Sequence, residues 1–511
     1  MNERCIRDVA RVVVQLHSPL TIGSSDGDDL LDLVCVTDAS GLPCIPGTSL
    51  AGVFRASWTE YFGIEETCRL FGYQRQKRED NGSEEGASCL AFSFGVMHDS
   101  QDRPVAPRMT EKDIREDALL RQASSPIVRQ HVRITEKGVA DAERSGLYDR
   151  SMLAAGHRFT FEVEHRGPDA TVLNRLLALL AQKSISVGAR TRCGLGRLDL
   201  VRVGRRQFDC ANEKDFSDYC ALPCGLHQRA EARLLPAIEV KQLEKAADER
   251  WNRGVIATLA LQPRNSWMIG GGMPLDADLP AIGEKEGGKE PDMVPYRELR
   301  VEWKNGRGRI CARNDRDTEP EPVAVIPGTA IKGALRHRTA YHYNRRRQVW
   351  AEDHTPELPS TEGNPAVQEL FGTIAGGAGA MAGRVVIGDV VPATKPQQLG
   401  LMHVSLDRFT CGPLDGHLFS EAPLYQGPVW ELIVKILPQR GHSEEKNIRR
   451  SLAEALEDLR AGRLQLGAGS GRGHGWMDAE RSTLTWSDGG AWAWGEDLEP
   501  SSGRLAEEVQ S

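Results

Sequence analysis

Val325-Ile326-Pro327-Gly328-Thr329-Ala330-Ile331-Lys332-Gly333, running on through Ala334-Leu335-Arg336, repeats a stretch near the start of the chain, Cys44-Ile45-Pro46-Gly47-Thr48-Ser49-Leu50-Ala51-Gly52. Both copies read as a strand end, a turn and a helix start. Pro-Gly is a turn signal. Thr48 and Thr329 are expected as N-caps, accepting a hydrogen bond from an unpaired amide of the first helical turn. Gly52 and Gly333, four residues further on, leave room for a neighbouring backbone. The exposed amides of such a helix start favour a polyanion. One copy would be an ordinary helix start; two in matching contexts indicate a repeat.

A second pair of markers keeps the same distance. Ser184 to Arg197 and Gly467 to Gly475 are glycine-rich loops, and 148 residues separate Pro46 from Gly194 while 144 separate Pro327 from Gly471. Leu70-Phe71-Gly72 is matched by Leu370-Phe371-Gly372. Between the markers both halves show the same order: strand, helix, strand, strand, helix, glycine loop, strand. That order indicates an internal duplication and an α+β fold of two tandem ferredoxin-like domains with insertions. Leu50, Val53, Phe54, Trp58 and Phe62 form an apolar stripe at helical spacing, read as core. The division expected is a first domain over 1–203, with a projecting insertion from about 73 to 125. A charged linker at 204–250, a second domain over 251–480 and a flexible acidic tail at 481–511 complete it. Trp492 and Trp494 in the tail are candidate partner anchors.

Bulk properties narrow the class. The 511 residues are 40% hydrophobic and 27% charged, as in soluble globular proteins. No apolar run approaches the ~20 residues of a membrane helix. The opening Met1 to Asp8 has no signal-peptide core, so a cytoplasmic protein without a membrane partner is expected. A net charge of −8 argues against a basic nucleic-acid coat but leaves room for a local basic groove. Of eleven cysteines, Cys220 and Cys224 with the nearby His227 have a spacing that could make, with Cys210, a Cys₃His zinc site, although the gap from Cys210 to Cys220 is not a standard finger spacing. Ordinary thiols in a linker are the alternative.

The glycines of Gly467 to Gly475 fall at every second position, not at the G-x-G-x-x-G spacing, and a helix precedes the loop while a strand-like segment follows. A dinucleotide site needs the reverse order. Glycines with Arg190, Arg192 and Arg197, or with Arg472 and His474, instead suit a polyanion held by amides and guanidinium groups. A tight structural turn is the competing reading.

The paired Ile-Pro-Gly-Thr turns and glycine loops resemble the RAMP superfamily. Within it they resemble backbone subunits of type III CRISPR effector complexes, the two-unit arrangement being similar to type III-D. The resemblance implies an RRM-like core lying along a guide RNA and an antiviral role beside other RAMP-type and large subunits. It also implies cleavage of complementary target RNA by an aspartate before each Ile-Pro-Gly turn. Asp32 fits in the first half, within a loop that also holds Asp26, Asp28 and Asp29; Asp292 is chosen in the second, with Asp276 and Asp278 behind it. Thr48, Ser49, Arg55, Arg190, Arg192, Arg197, Thr329, Lys332, Arg336, Arg472 and His474 are read as RNA contacts. A divalent metal, magnesium in the first instance, is expected to assist the aspartates. Two other readings stay open: a non-catalytic guide-RNA scaffold, and a processing nuclease that would need a paired acid and base, with His131 and His474 available.

Overall fold

The computed structural model describes residues 5–23, 35–76, 83–135, 140, 146–182, 185–246, 254–270, 291–311, 322–349, 363–373, 380–425, 427, 429–438 and 446–494. The chain forms two compact units. The first comprises residues 1–131, 148–252 and 298–322; the second comprises 132–147, 253–297 and 323–511.

In the first unit the repeat supplies β1 (Ile6–Leu16), α1 (Gly47–Phe62), β2 (Leu90–Phe92), a hairpin of β3 (Ile127–Val132) and β4 (Leu147–Met152), β5 (Arg158–Arg166), α2 (Thr171–Ala181) and β6 (Leu198–Asp209). The sheet runs β6-β1-β5-β2 and is antiparallel, with Val12 opposite both Phe161 and Val203. Along β1 the alternate residues Val12, Val14 and Leu16 are buried, as a half-covered strand requires. They meet Leu50, Phe54 and Trp58 of α1 and Leu173, Leu176, Leu177 and Leu180 of α2 in one core. Each such side chain contributes roughly 1.5–3 kcal/mol by leaving water. The stripe expected on α1 is therefore core, with Val53 and Phe62 at its edge.

The second unit repeats the plan with β7 (Val255–Leu261), α3 (Gly328–Arg346), β8 (Val385–Ile387), a hairpin of β9 (Leu401–Leu406) and β10 (Pro413–Glu421), β11 (Trp430–Ile436), α4 (Lys446–Arg460) and β12 (Thr483–Trp486). Its sheet runs β12-β7-β11-β8, also antiparallel. Trp430, Leu432, Val434 and Ile436 alternate inward from β11 onto Leu452, Leu456 and Leu459 of α4. The two units thus share an α+β plan and a strand order.

Several boundaries differ from the sequence reading. The 73–125 segment does not simply project: Leu90–Phe92 and Val96–Met97 pair with β5, and Val105, Leu120 and Ala123 enter the core. Residues 204–209 continue β6, and much of the expected linker covers the outer face of the first sheet. There Val9, Phe208 and Leu235 pack together, Tyr219 donates to Glu164 (3.0 Å), and Arg11 donates to Gln228 O (3.0 Å). The expected tail begins inside the second sheet, since Thr483–Trp486 is its edge strand and Trp492 packs on the second core. Residues beyond 494 lie outside the described set.

The largest departure is a segment of the second half that belongs to the first unit. Glu298, buried, receives the Arg129 guanidinium (Nε–Oε1 2.9 Å), itself buried. The hairpin of Val301–Lys304 and Arg307–Ile310 follows. Val301 N–H donates to Ala155 O (2.9 Å), Gly308 N–H to Ser100 O (2.9 Å), and Trp303 Nε1–H to Gly156 O (2.7 Å). Arg158 lies 4.2 Å over the Trp303 ring. A stretch with few apolar residues gave no sequence sign of this docking, because a charge pair and backbone hydrogen bonds hold it.

Candidate nucleic-acid interface

The two Ile-Pro-Gly-Thr stretches do open helices, with one correction. The N-cap residues are Pro46 and Pro327, not the threonines, and neither makes a side-chain cap. Ser49 and Leu50 N–H donate to Pro46 O, and Ala330 and Ile331 N–H to Pro327 O. Thr48 and Thr329 sit two residues past the cap position, inside the first turn. The close backbone approach also falls elsewhere. A Cβ on Gly47 would stand 2.6 Å from Phe92 O, and one on Gly328 2.6 Å from Ile387 O, whereas Gly52 and Gly333 face open space. At α3 a carboxylate fills the cap: Gly328 N–H donates to Asp389 Oδ1 (2.8 Å).

The glycine loops follow the same backbone pattern residue by residue. Ala189 N–H donates to Thr21 O (2.8 Å) and Ala468 N–H to Met268 O (2.7 Å). Arg190 and Gly469 then turn left-handed, at φ 56° and 74°. The short turns Thr191–Cys193 and Ser470–Arg472 follow, closed by left-handed Gly194 and Gly473. Arg190 pays a steric cost for this conformation that Gly469 does not.

Each loop meets the base of its hairpin. In the first unit His131 stacks on Tyr148 (4.9 Å, 19°) and the Arg190 guanidinium lies 5.2 Å over that ring. In the second, His403 stacks on Phe419 (4.9 Å, 21°) with Arg472 at 5.4 Å. Two residues beyond the ring the chemistry diverges. Glu421, fully buried, accepts from His474 Nε2 (2.6 Å), His403 Nε2 (2.8 Å) and Arg472 (2.8 Å), while His474 Nδ1 meets Ser266 Oγ at 2.6 Å. Burial alone would raise the Glu421 carboxyl, but hydrogen bonds from His474, Arg472 and His403 prevail and hold it down at about 2. In the first unit the matching residue is Arg150.

The expected contact residues are thus unevenly placed. Thr48, Arg190, Arg192 and Arg472 are exposed; Ser49, Arg55, Arg197, Thr329, Lys332 and Arg336 are half-buried. Lys332 Nζ donates to Val385 O (2.8 Å), turned toward the sheet. His474 is buried with both ring nitrogens engaged, so it supports the loop from within. Tyr148, Arg150, His403 and Glu421 were not singled out as site residues. His403 and His131 occupy matching places in the two halves of the sequence, but nothing in the local pattern marks Tyr148 or Phe419, two residues before Arg150 and Glu421, as their partners.

Asp292 is exposed beside the second hairpin. Its Oδ2 accepts from Ser420 N–H (2.8 Å) and Ser420 Oγ (3.0 Å), and Asp292 N–H donates back to Ser420 Oγ (3.2 Å). Asp32, Asp276 and Asp278 lie outside the described residues. Val36 N–H donates to Ile22 O and Tyr296 N–H to Ile269 O, and Asp32 and Asp292 each stand four residues before that donor.

The hairpins carry apolar side chains in the open. Val128, Val132 and Leu147 are exposed in the first; Met402, Val404, Leu406 and Leu418 are exposed in the second, with Phe409 82% exposed at its tip. Contiguous exposed apolar surface marks an interaction site.

The cysteine cluster does not assemble. Cys210, Cys220 and Cys224 are free thiols, and among the described residues no three His, Cys, Asp or Glu side chains converge on a metal position. No helix among the described residues is long and apolar enough to cross a membrane.

No curated protein matches the chain. Among solved structures it is similar to a chain of the cryo-EM structure of the type III-B Cmr-beta bound to cognate target RNA, at 13% identity and a TM-score of 0.27. That match covers 39% of this chain and 60% of the other. The RAMP superfamily model matches residues 13–199 and again 266–478, one match for each repeat. The chain belongs to the RAMP superfamily.

Proposed function

We propose that the chain is a two-unit backbone subunit of a type III CRISPR effector complex, of the type III-D kind, working in the cytoplasm on guide RNA beside other RAMP-type and large subunits. Each unit is read as a ferredoxin-like core that holds a stretch of guide, and Asp32 and Asp292 as the residues that cut complementary target RNA. The carrying observation is the position of Asp292, exposed at the foot of an apolar hairpin. A hairpin of that kind can part stacked bases, and a carboxylate beside it can take the proton of a 2′-hydroxyl as that oxygen attacks the adjacent phosphorus; the bond from phosphorus to the 5′-oxygen of the next nucleotide breaks, that oxygen takes a proton from water, and a 2′,3′-cyclic phosphate remains. Guide pairing would select the target while the protein reads backbone and shape, as in another guide-dependent system.

One observation favours a second reading, the guide-RNA scaffold. Two Ser420 donors already engage Asp292, which is also how a carboxylate anchors a loop. End-labelled target RNA cut by the guide-loaded complex separates the two. On the cleavage reading Asp32→Asn and Asp292→Asn each remove a different product band, by on the order of 10²-fold or more. An unchanged ladder with both substitutions leaves the scaffold. A chelator arm shows whether a divalent ion takes part.

A further inference from the structure

The two hairpin bases share a scaffold and carry opposite charge. The stacked pair His131–Tyr148 matches His403–Phe419 in distance and tilt, so Arg150 stands where the other unit has Glu421. The loop partners differ accordingly: Cys193 and Leu195 occupy the positions of Arg472 and His474. In the second unit three cationic or hydrogen-bonding side chains close on one carboxylate, and the centre is satisfied internally. In the first unit Arg150 is 7% exposed, its Nε is buried without a hydrogen-bond partner, and no described carboxylate pairs with it. Its charged neighbour is a second guanidinium, Arg190, which holds Tyr148 Oη and lies over that ring. Burial first, and then Arg190, push the Arg150 guanidinium below its ordinary range, while only Tyr148, Cys193 and Cys35 oppose them. A buried cation with no anion is costly, and a folded chain keeps one where a ligand supplies the missing charge.

We propose that Arg150 and Arg190, at the base of the first hairpin, form a phosphate site, filled by one phosphodiester of the bound RNA, and that Glu421 closes the matching position of the second unit to anions. The assignment rests on the RNA-binding reading above for its ligand, but the site itself is chemistry for any phosphate oxyanion. Arginine suits it because its planar fork gives two parallel donors to phosphate oxygens. The two repeats are then unequal: the first grips the RNA backbone at its hairpin, and the second relies on other contacts.

The test uses the full chain freed of nucleic acid, with two probes. The first is a labelled single-stranded RNA, titrated over a range of salt. Arg150→Met should lower the slope of log affinity against log salt by about 0.7, the value of one single-strand phosphate contact. Arg150→Lys, which keeps the charge, should retain the slope. Arg190→Gln, at an exposed position, should lower it too and serves if Arg150→Met does not fold. The second probe is inorganic phosphate against chloride at matched ionic strength, read by thermal unfolding. Phosphate should raise the midpoint of the wild type and not of Arg150→Met, and in chloride the variant should be at least as stable as the wild type. An Arg150→Met protein that is less stable in chloride and binds RNA with an unchanged slope overturns the site, leaving Arg150 a strut. If RNA binds normally but neither slope nor phosphate response depends on Arg150 and Arg190, the site falls and the RNA reading stands. If the wild type binds no RNA yet gains stability from phosphate through Arg150, the RNA reading falls and the site stands with free phosphate as its ligand.

Discussion

His342 Nε2 lies 2.7 Å from Asp458 Oδ2, joining α3 to α4 across the second unit through two side chains that are almost wholly buried. Arg338 (2.5 Å) and Arg463 (2.7 Å) share the same carboxylate, and Glu454 lies 3.2 Å from His342 Nδ1. Burial by itself would lower the His342 pKa, but Asp458 and Glu454 outweigh it and raise it, and the same contacts hold Asp458 well below the carboxylate range. A histidine raised on folding stabilises fully below its unfolded value of about 6.5, and that contribution is lost as pH rises through the higher folded value. His342→Gln should therefore cost roughly 1.5–3 kcal/mol at pH 5.5, with the gap to wild type narrowing in alkali. Denaturant unfolding at several pH values reads this; a gap that stays constant removes the charged pair from the account.

Glu421 should show the opposite sign. A carboxyl held at about 2 stabilises above its unfolded value near 4.3, and that contribution fades as pH falls toward 2. Glu421→Gln leaves Arg472 and two histidines around a neutral amide and should cost about 3–5 kcal/mol at neutral pH. Urea unfolding measures it, and a loss under about 1 kcal/mol would show that the cluster relaxes into water.

Gly156 should not tolerate a side chain. Its φ is 97°, and a Cβ there would run into Val301 O of the docked hairpin. Gly156→Ala combines left-handed strain with a backbone clash, so a loss of about 3 kcal/mol or more is expected. Limited proteolysis within 298–311 should quicken in parallel. Wild-type protection there with normal stability would mean that the hairpin shifts freely.

Phe409 and Leu418 should matter to partners and not to the fold. Both are largely exposed on the second hairpin. Phe409→Ser with Leu418→Ser should change unfolding free energy by no more than about 0.5 kcal/mol. Light scattering of the free chain should fall and RNA affinity should weaken. A large loss of stability would place the two side chains in a packed contact.

The fold was legible where periodicity and punctuation act locally. Trp430 to Ile436 alternates, the stripe from Leu50 to Trp58 has helical spacing, and paired Pro-Gly turns mark two equivalent helix starts. Asp292 stands beside the second hairpin, where Ser420 holds its carboxylate. What escaped the sequence was long-range. Asp389 caps a helix that starts 61 residues earlier, His474 meets Ser266 across 208 residues, and Glu298 finds Arg129 across 169. Such pairings leave no periodic trace, since one charged residue in a polar stretch looks the same whether it faces water or a buried partner.

The Arg129–Glu298 pair has a consequence for synthesis. Translation runs from the N-terminus, and a domain ordinarily closes once its own last strand has cleared the ribosome. Here β6 ends at Asp209, yet the carboxylate for a guanidinium only 1% exposed is still unmade, as is the Trp303 indole that caps Gly156. The leading half lacks these contacts until translation has passed residue 311. A gene cut between the repeats would not return two ancestral proteins: its first product would lack the carboxylate that meets Arg129 and the hairpin on Ala155 and Gly156, and its second would carry that hairpin without its support.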